Sequence, residues 1–243
     1  MTRERIFILA LLCGFAAFFW TLLIRTAPPP PAPVVLQPGF RSPDPPSDLA
    51  SAERSARERP DDPQAWFVLA TLRQAAGRTD AAREAWERTV QTASAAFQPR
   101  TSFLLGWAYE HLGDTAAARS AFESAAAGYE AGVRPDGRFP DRYQAWMRLA
   151  WCRKMLADQA GARAAWDRVK EILNRVHPTE MPMGMMYDRA CCLAQLGENE
   201  AAMWSLAQAV SKGFRGREWA AADENLAPLR ADPAFKAWLN SKD

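Results

Sequence analysis

Four sets of positions between Trp66 and Ala209 constrain this chain of 243 residues more than anything else in it. Ala70, Gly106, Ala150 and Ala190 form the first set, and Gly77, Gly113, Ala157 and Gly197 the second. Ala82, Ala118, Ala162 and Ala202 form the third, and Trp86, Phe122, Trp166 and Leu206 the fourth. Within every set the steps are 36, 44 and 40 residues. Four markers that move together through three unequal steps identify four copies of one unit with insertions between them. Inside the unit, apolar residues recur at three and four, the spacing of one helix face. The second marker, mostly glycine, suits a break between two helices where the backbone turns left-handed. The expected fold is therefore all-α, a stack of about four helix pairs. Small residues let paired helices approach, and bulky ones fill the space between them.

The pattern resembles the tetratricopeptide repeat, a helix–turn–helix of about 34 residues. Trp66, Leu69, Ala70, Gly77, Ala82 and Trp86 carry the likeness in the first copy. Leu105, Gly106, Tyr109, Gly113, Ala118 and Phe122 carry it in the second. Trp146, Leu149, Ala150, Ala162 and Trp166 do so in the third. The fourth has Met186, Ala190, Leu193, Gly197, Ala202 and Leu206, but Arg189 stands where leucine is usual. The resemblance covers about residues 63–216 and implies an α-solenoid that serves as a binding scaffold.

The remaining segments read differently. Residues 1–5 form a short tail, and Ile6–Ile24 is an uncharged run of 19 residues, about 28 Å as a helix and close to a bilayer's hydrocarbon thickness. A cleaved signal peptide is the competing reading. The length of the run, and Pro28 directly after the small residue Ala27, favour a retained transmembrane anchor. Arg3, Arg5 and the amino terminus on one side, against Arg25 and Arg41 on the other, favour a cytoplasmic N-terminus. That orientation puts the repeats outside the cytoplasm, in the periplasm of a bacterial inner-membrane protein. Residues 25–47 form a linker, and nine prolines between 28 and 46 make it an extended, semi-stiff tether. The folded region is expected over 48–216. It opens with a capping helix started by Asp48 and ended by Pro60, and Asp62-Pro63 then starts the first repeat. Val133–Arg142 and His177–Pro182 read as loops. Residues 217–243, with Leu226-Ala227-Pro228-Leu229-Arg230 and Asp232-Pro233, resemble the segment that closes tetratricopeptide arrays. A cap of that kind covers the apolar face of the last repeat.

The chain shows no catalytic arrangement. It has no phosphate-binding glycine loop, no G-x-S-x-G, no H-E-x-x-H and no paired C-x-x-C, and its two histidines are His111 and His177. The expectation is a non-enzyme without a cofactor. The net charge of +2 gives no argument for nucleic acid. Met181, Met183, Met185 and Met186, with Cys191 and His177 nearby, offer soft ligands that suit Cu(I), which leaves a copper-handling protein as one alternative. A core filled by small and flexible sulfur side chains is the plain reading of the same residues.

The resemblance also implies where a partner binds, because the first helix of each repeat lines the concave face. The candidate partner-binding residues on that face are Phe67, Phe103, Trp107 and His111 in the first two copies, then Met147, Arg148, Trp151 and Lys154 in the third, and Tyr187 in the fourth. Trp107 and Trp151 occupy the same place in neighbouring copies, and large aromatics beside a few charges suit a peptide-binding surface. The resemblance also implies lysine and asparagine clamps where a C-terminal carboxylate is gripped; here Phe67, Thr71, Leu104 and Gln144 hold those places and only Arg148 is basic, which argues against an acidic peptide tail as ligand. The expected function is a membrane-anchored scaffold that binds a protein partner, in assembly or stabilisation of a membrane or envelope complex. The alternatives are a constitutive structural subunit, and an assembly factor for c-type cytochromes, whose repeat domains are similar around Glu58–Trp66.

Overall fold

A computed structural model of the protein describes residues 48–94, 98–137 and 142–241. The expected anchor Ile6–Ile24 and the Pro-rich linker lie outside the described residues, as does part of the Val133–Arg142 loop. Among the described residues no helix is long and apolar enough to cross a membrane.

The described residues are helical throughout, with no strand. Helix α1 (Leu49–Glu58) precedes four antiparallel pairs. These are α2 (Pro63–Ala75) with α3 (Thr79–Ala93), α4 (Pro99–Leu112) with α5 (Thr115–Val133), α6 (Tyr143–Met155) with α7 (Gln159–Leu173), and α8 (Met183–Gln195) with α9 (Asn199–Ser211). A short helix α10 (Arg217–Ala222), a 3₁₀ helix (Glu224–Ala231) and α11 (Pro233–Asn240) complete the chain. The helix starts follow local chemistry. Asp48 accepts from the Ser51 amide, Asp62 from the Gln64 amide, and proline occupies the first turn of α2 and α4.

All four turn markers lie in the left-handed region, with φ of 71° at Gly77, 84° at Gly113, 65° at Ala157 and 81° at Gly197. Each turn closes the same way, by a bond from the following amide to the carbonyl five residues back. Arg78 bonds to Arg73, Asp114 to Tyr109, Asp158 to Arg153 and Glu198 to Leu193, all at 2.8–2.9 Å. This is the Schellman arrangement, and glycine carries no steric penalty in it. Ala157 adopts the same conformation with a Cβ, at a cost of about 1–2 kcal/mol.

The other markers are core. Ala70, Ala150 and Ala190 are fully buried, and so in effect are Trp86, Phe122, Trp166 and Leu206. Gly106 shows why the first set is small: a Cβ there would lie 2.7 Å from the Phe122 ring. Arg189, out of pattern in the fourth repeat, finds polar company instead. It donates to the hydroxyl of buried Ser205 at 2.8 Å, and its guanidinium lies over the Trp204 ring. Helix α1 packs on the first helix pair, with Ala52 and Ala56 buried in one cluster with Ala65, Leu69 and Leu72.

Ala157→Gly is expected to stabilise the fold by about 0.5–1 kcal/mol, because relief of the left-handed strain exceeds the entropy cost of glycine. Gly106→Ala is expected to cost about 1–3 kcal/mol by overpacking against Phe122. Chemical denaturation of the two variants beside the wild type measures both, and equal midpoints for all three would contradict the packing and turn arguments together.

Candidate functional site on the concave face

The first helix of each pair turns one stripe toward the concave side, at steps of three and four. The stripe is Phe67, Thr71 and Gln74 on α2, Phe103, Trp107 and His111 on α4, Met147 and Trp151 on α6, and Tyr187, Cys191 and Gln195 on α8. Stacking the pairs brings these stripes side by side. A run of aromatic rings results that crosses three repeats. Phe67 meets Trp86 edge-on at 5.5 Å, Trp86 stacks on His111 at 4.5 Å, His111 on Trp107 at 5.9 Å, and Trp107 meets Trp151 edge-on at 5.2 Å. Burial among these rings lowers the His111 pKa below its ordinary value, so the imidazole is neutral at pH 7.

The C-terminal segment crosses the concave face. The Tyr187 hydroxyl donates to Asp223 Oδ2 at 2.8 Å, and the Cys191 thiol approaches the same oxygen at 3.8 Å. The Trp151 indole N–H donates to the Asn225 side chain, and the Gln195 amide donates to the backbone carbonyls of Glu224 and Asn225 at 3.1 and 2.9 Å. Leu226 and Leu229 of the 3₁₀ helix and Phe235 of α11 are fully buried in the core of the fourth repeat. At the other end Trp219 and Ala222 pack against the first-repeat cluster, and the Glu218 carboxylate accepts from the Leu49 amide at 3.0 Å. One segment thus joins the first repeat to the fourth. Between it and the aromatic run lies a cavity of about 430 Å³, walled by Phe67, Phe103, Trp107, His111 and Trp151 on one side and by Trp219, Glu224 and Arg230 on the other.

The nine candidate partner-binding residues therefore divide. Phe67, Phe103, Trp107, His111 and Trp151 meet at the cavity. Tyr187 is buried under Asp223, and Lys154 lies over the outer part of the same region, with its ammonium 4.4 Å from the Trp151 ring centroid and bonded to Gln195. Met147 is partly buried against the core. Arg148 is half-buried beside Tyr129, away from the cavity lining. The residues sequence reasoning missed are Trp219, Asp223, Glu224, Asn225 and Arg230, all on the crossing segment. Their one local signal is Asp223 capping the helix ahead of Pro228, with its side chain accepting from the Asn225 amide at 2.9 Å.

Residues 101–129 and 144–172 match the tetratricopeptide repeat family. These two segments lie in the second and third helix pairs, α4–α5 and α6–α7. Among solved structures, a crystal structure of MamA is similar at 14% identity, with a TM-score of 0.28, over 68% of this chain and 85% of that one. MamA residues 41 to the end from Desulfovibrio magneticus RS-1 are similar at 12% identity, with a TM-score of 0.29, over 68% of this chain and 82% of that one. No curated protein matches the chain significantly.

In the fourth helix pair the sulfur side chains serve as core. Met181, Met185, Met186, Cys191 and Cys192 are all buried in one cluster. The Cys192 thiol donates to the Trp166 carbonyl at 3.4 Å, and burial pushes its pKa up to about 12. Burial also raises the Cys191 thiol well above its ordinary value. Copper is bound by thiolates, and this packing favours the thiols. His177 sits apart on an exposed turn, bonded to Thr179.

Asp223 holds the crossing segment in place, and its environment has a measurable consequence. Burial pushes its carboxyl above the ordinary value, against donors from Asn225 and Tyr187 that pull it down. The folded state then holds this proton to higher pH than the unfolded state, so stability from this group is present at acid pH and lost as pH rises through the raised value. Asp223→Asn removes the ionisation. Its melting temperature relative to wild type is expected to rise as pH increases from about 4 through the raised value and then to level off; a difference that is flat with pH throughout would mean that Asp223 is not strained by burial.

Proposed function

We propose that the chain is a protein-binding scaffold whose partner seats a short segment at the aromatic-walled cavity of the concave face. The observation that carries this reading is the ring run Phe67–Trp86–His111–Trp107–Trp151, which the crossing segment leaves partly open beside repeats one to three. Clustered tryptophans in a concave, mostly apolar site supply large contact area at low entropy cost. The rest of the concave face is already occupied by Asp223–Asn225, so a long helical ligand along the whole groove is disfavoured and a short segment with one or two anchoring side chains is favoured. The composition of the first 47 residues supports a wider form of the reading. In it, Ile6–Ile24 anchors the chain in a membrane, the Pro-rich tether sets its reach, and partners on the same membrane meet it at raised effective concentration. Assembly or stabilisation of a membrane protein complex is the task that this arrangement suits.

Affinity purification of the full chain from gently solubilised native membranes tests it. Two variants accompany the wild type: Trp107→Ala, and His111→Ala at the middle of the ring run. Loss of a central aromatic anchor typically weakens binding tenfold or more. A partner that co-purifies with wild type and is depleted by both variants, while far-ultraviolet circular dichroism is unchanged, is the expected result. A partner retained by both variants overturns the cavity as its seat.

A further inference from the structure

The cavity is not only aromatic. Its second wall carries the buried Asp223 and an exposed carboxylate, Glu224, which meets the guanidinium of Arg230 at 2.8 Å. Arg230 also reaches the Ala222 carbonyl at 3.4 Å. Both side chains are well exposed, 41% for Arg230 and 48% for Glu224. An exposed ion pair of this kind is weak and readily exchanges its partners.

The charges on the lining limit what can enter. Glu224 is negative and Arg230 positive, His111 is neutral at pH 7, and the buried Asp223 carries either its proton or a negative charge. The lining therefore has no positive excess that would favour an anion. The ring faces add a negative potential of their own, to which a guanidinium or ammonium is drawn. The chain already uses that attraction next door, where the Lys154 ammonium lies over Trp151. A guanidinium gains twice in such a place, since its plane stacks on indole and its fork bonds a carboxylate.

We infer that the cavity receives an arginine side chain of the partner polypeptide, stacked on the Trp107 ring and bonded to Glu224 in exchange for Arg230. Arg230 is the resident guanidinium of the site, held by the carboxylate and carbonyl that the incoming arginine would use. This deepens the proposed function and rests on it, because it names the side chain that the aromatic wall accepts. Arg230 then acts as an internal competitor. It keeps the carboxylate paired when no partner is bound and sets a threshold for the partner's arginine.

Isothermal titration of the purified full chain with N-acetyl-arginine amide, beside the neutral isostere N-acetyl-citrulline amide, tests the inference. The expected result is weak but saturable binding of the arginine probe, with the citrulline probe at least tenfold weaker. Glu224→Gln should weaken the arginine probe about tenfold. Arg230→Ala, which removes the competitor, should tighten it several-fold. Both substitutions are at exposed side chains, and a melting temperature within a few degrees of wild type shows that the fold is kept. Equal binding of the two probes, no response to Glu224→Gln, or no binding of either probe at millimolar concentration overturns the inference. A partner that still depends on Trp107 and His111 while the arginine probe fails leaves the scaffold reading standing and removes only the arginine.

Discussion

The close approach of the two helices in each pair is the constraint on which the rest of this structure depends. At the second repeat it is visible atom by atom, because the Phe122 ring occupies the space where a side chain on Gly106 would begin. The equivalent pairs in the other repeats place alanine opposite tryptophan or leucine, and all of these residues are buried. Interiors pack at crystal-like density, so a bulky residue at the first marker or a small one at the fourth has nowhere to distribute the misfit. The pair distance then fixes where the next pair stacks. That stacking decides which side chains stand next to each other on the concave face. The contact of Trp107 with Trp151 across repeats is thus a consequence of Gly106 and Ala150 one residue earlier in each helix.

The turns reinforce the same geometry from the backbone. Four identical amide-to-carbonyl closures hold the second helix of each pair at one angle to the first. That three of the four left-handed positions are glycine and one is alanine shows that the conformation, not the residue, is what the fold requires.

Much of this was legible in the sequence because the interactions that build a repeat are local. Marker spacing, helix starts at Asp48 and Asp62-Pro63, and the left-handed turns all lie within one repeat of the residues that cause them. The candidate site was legible only in half. Residues on the first helices of the repeats could be assigned to the concave face by register, and Phe67, Phe103, Trp107, His111 and Trp151 do meet there. The crossing segment could not be placed in this way. Its anchors are Tyr187 with Asp223 and Trp151 with Asn225, 36 and 74 residues apart, and no periodicity links the members of either pair. Leu226, Pro228 and Leu229 read as the closure of the last repeat, which accounts for the apolar side of the segment. Its polar side, turned toward the groove, has no sequence signature beyond the Asp223 cap.

The crossing segment changes what kind of recognition the array can perform. An open tetratricopeptide groove offers every repeat to a ligand, and affinity then accumulates along its length. Here the third and fourth repeats spend their concave hydrogen-bonding groups on the chain itself. Tyr187, Cys191 and Gln195 are all engaged by Asp223–Asn225. The segment cannot simply lift away, because Leu226, Leu229 and Phe235 on its other side are fully buried, and exposing them costs about 1.5–3 kcal/mol each. It is therefore a fixed wall and not a displaceable lid. Fixing it narrows the ligand to what fits between that wall and the ring run, and it removes the entropy cost of ordering the wall when a partner arrives. Such a preformed site selects by the chemistry of one or two side chains, whereas the length of a helix or strand would have been read by the open groove.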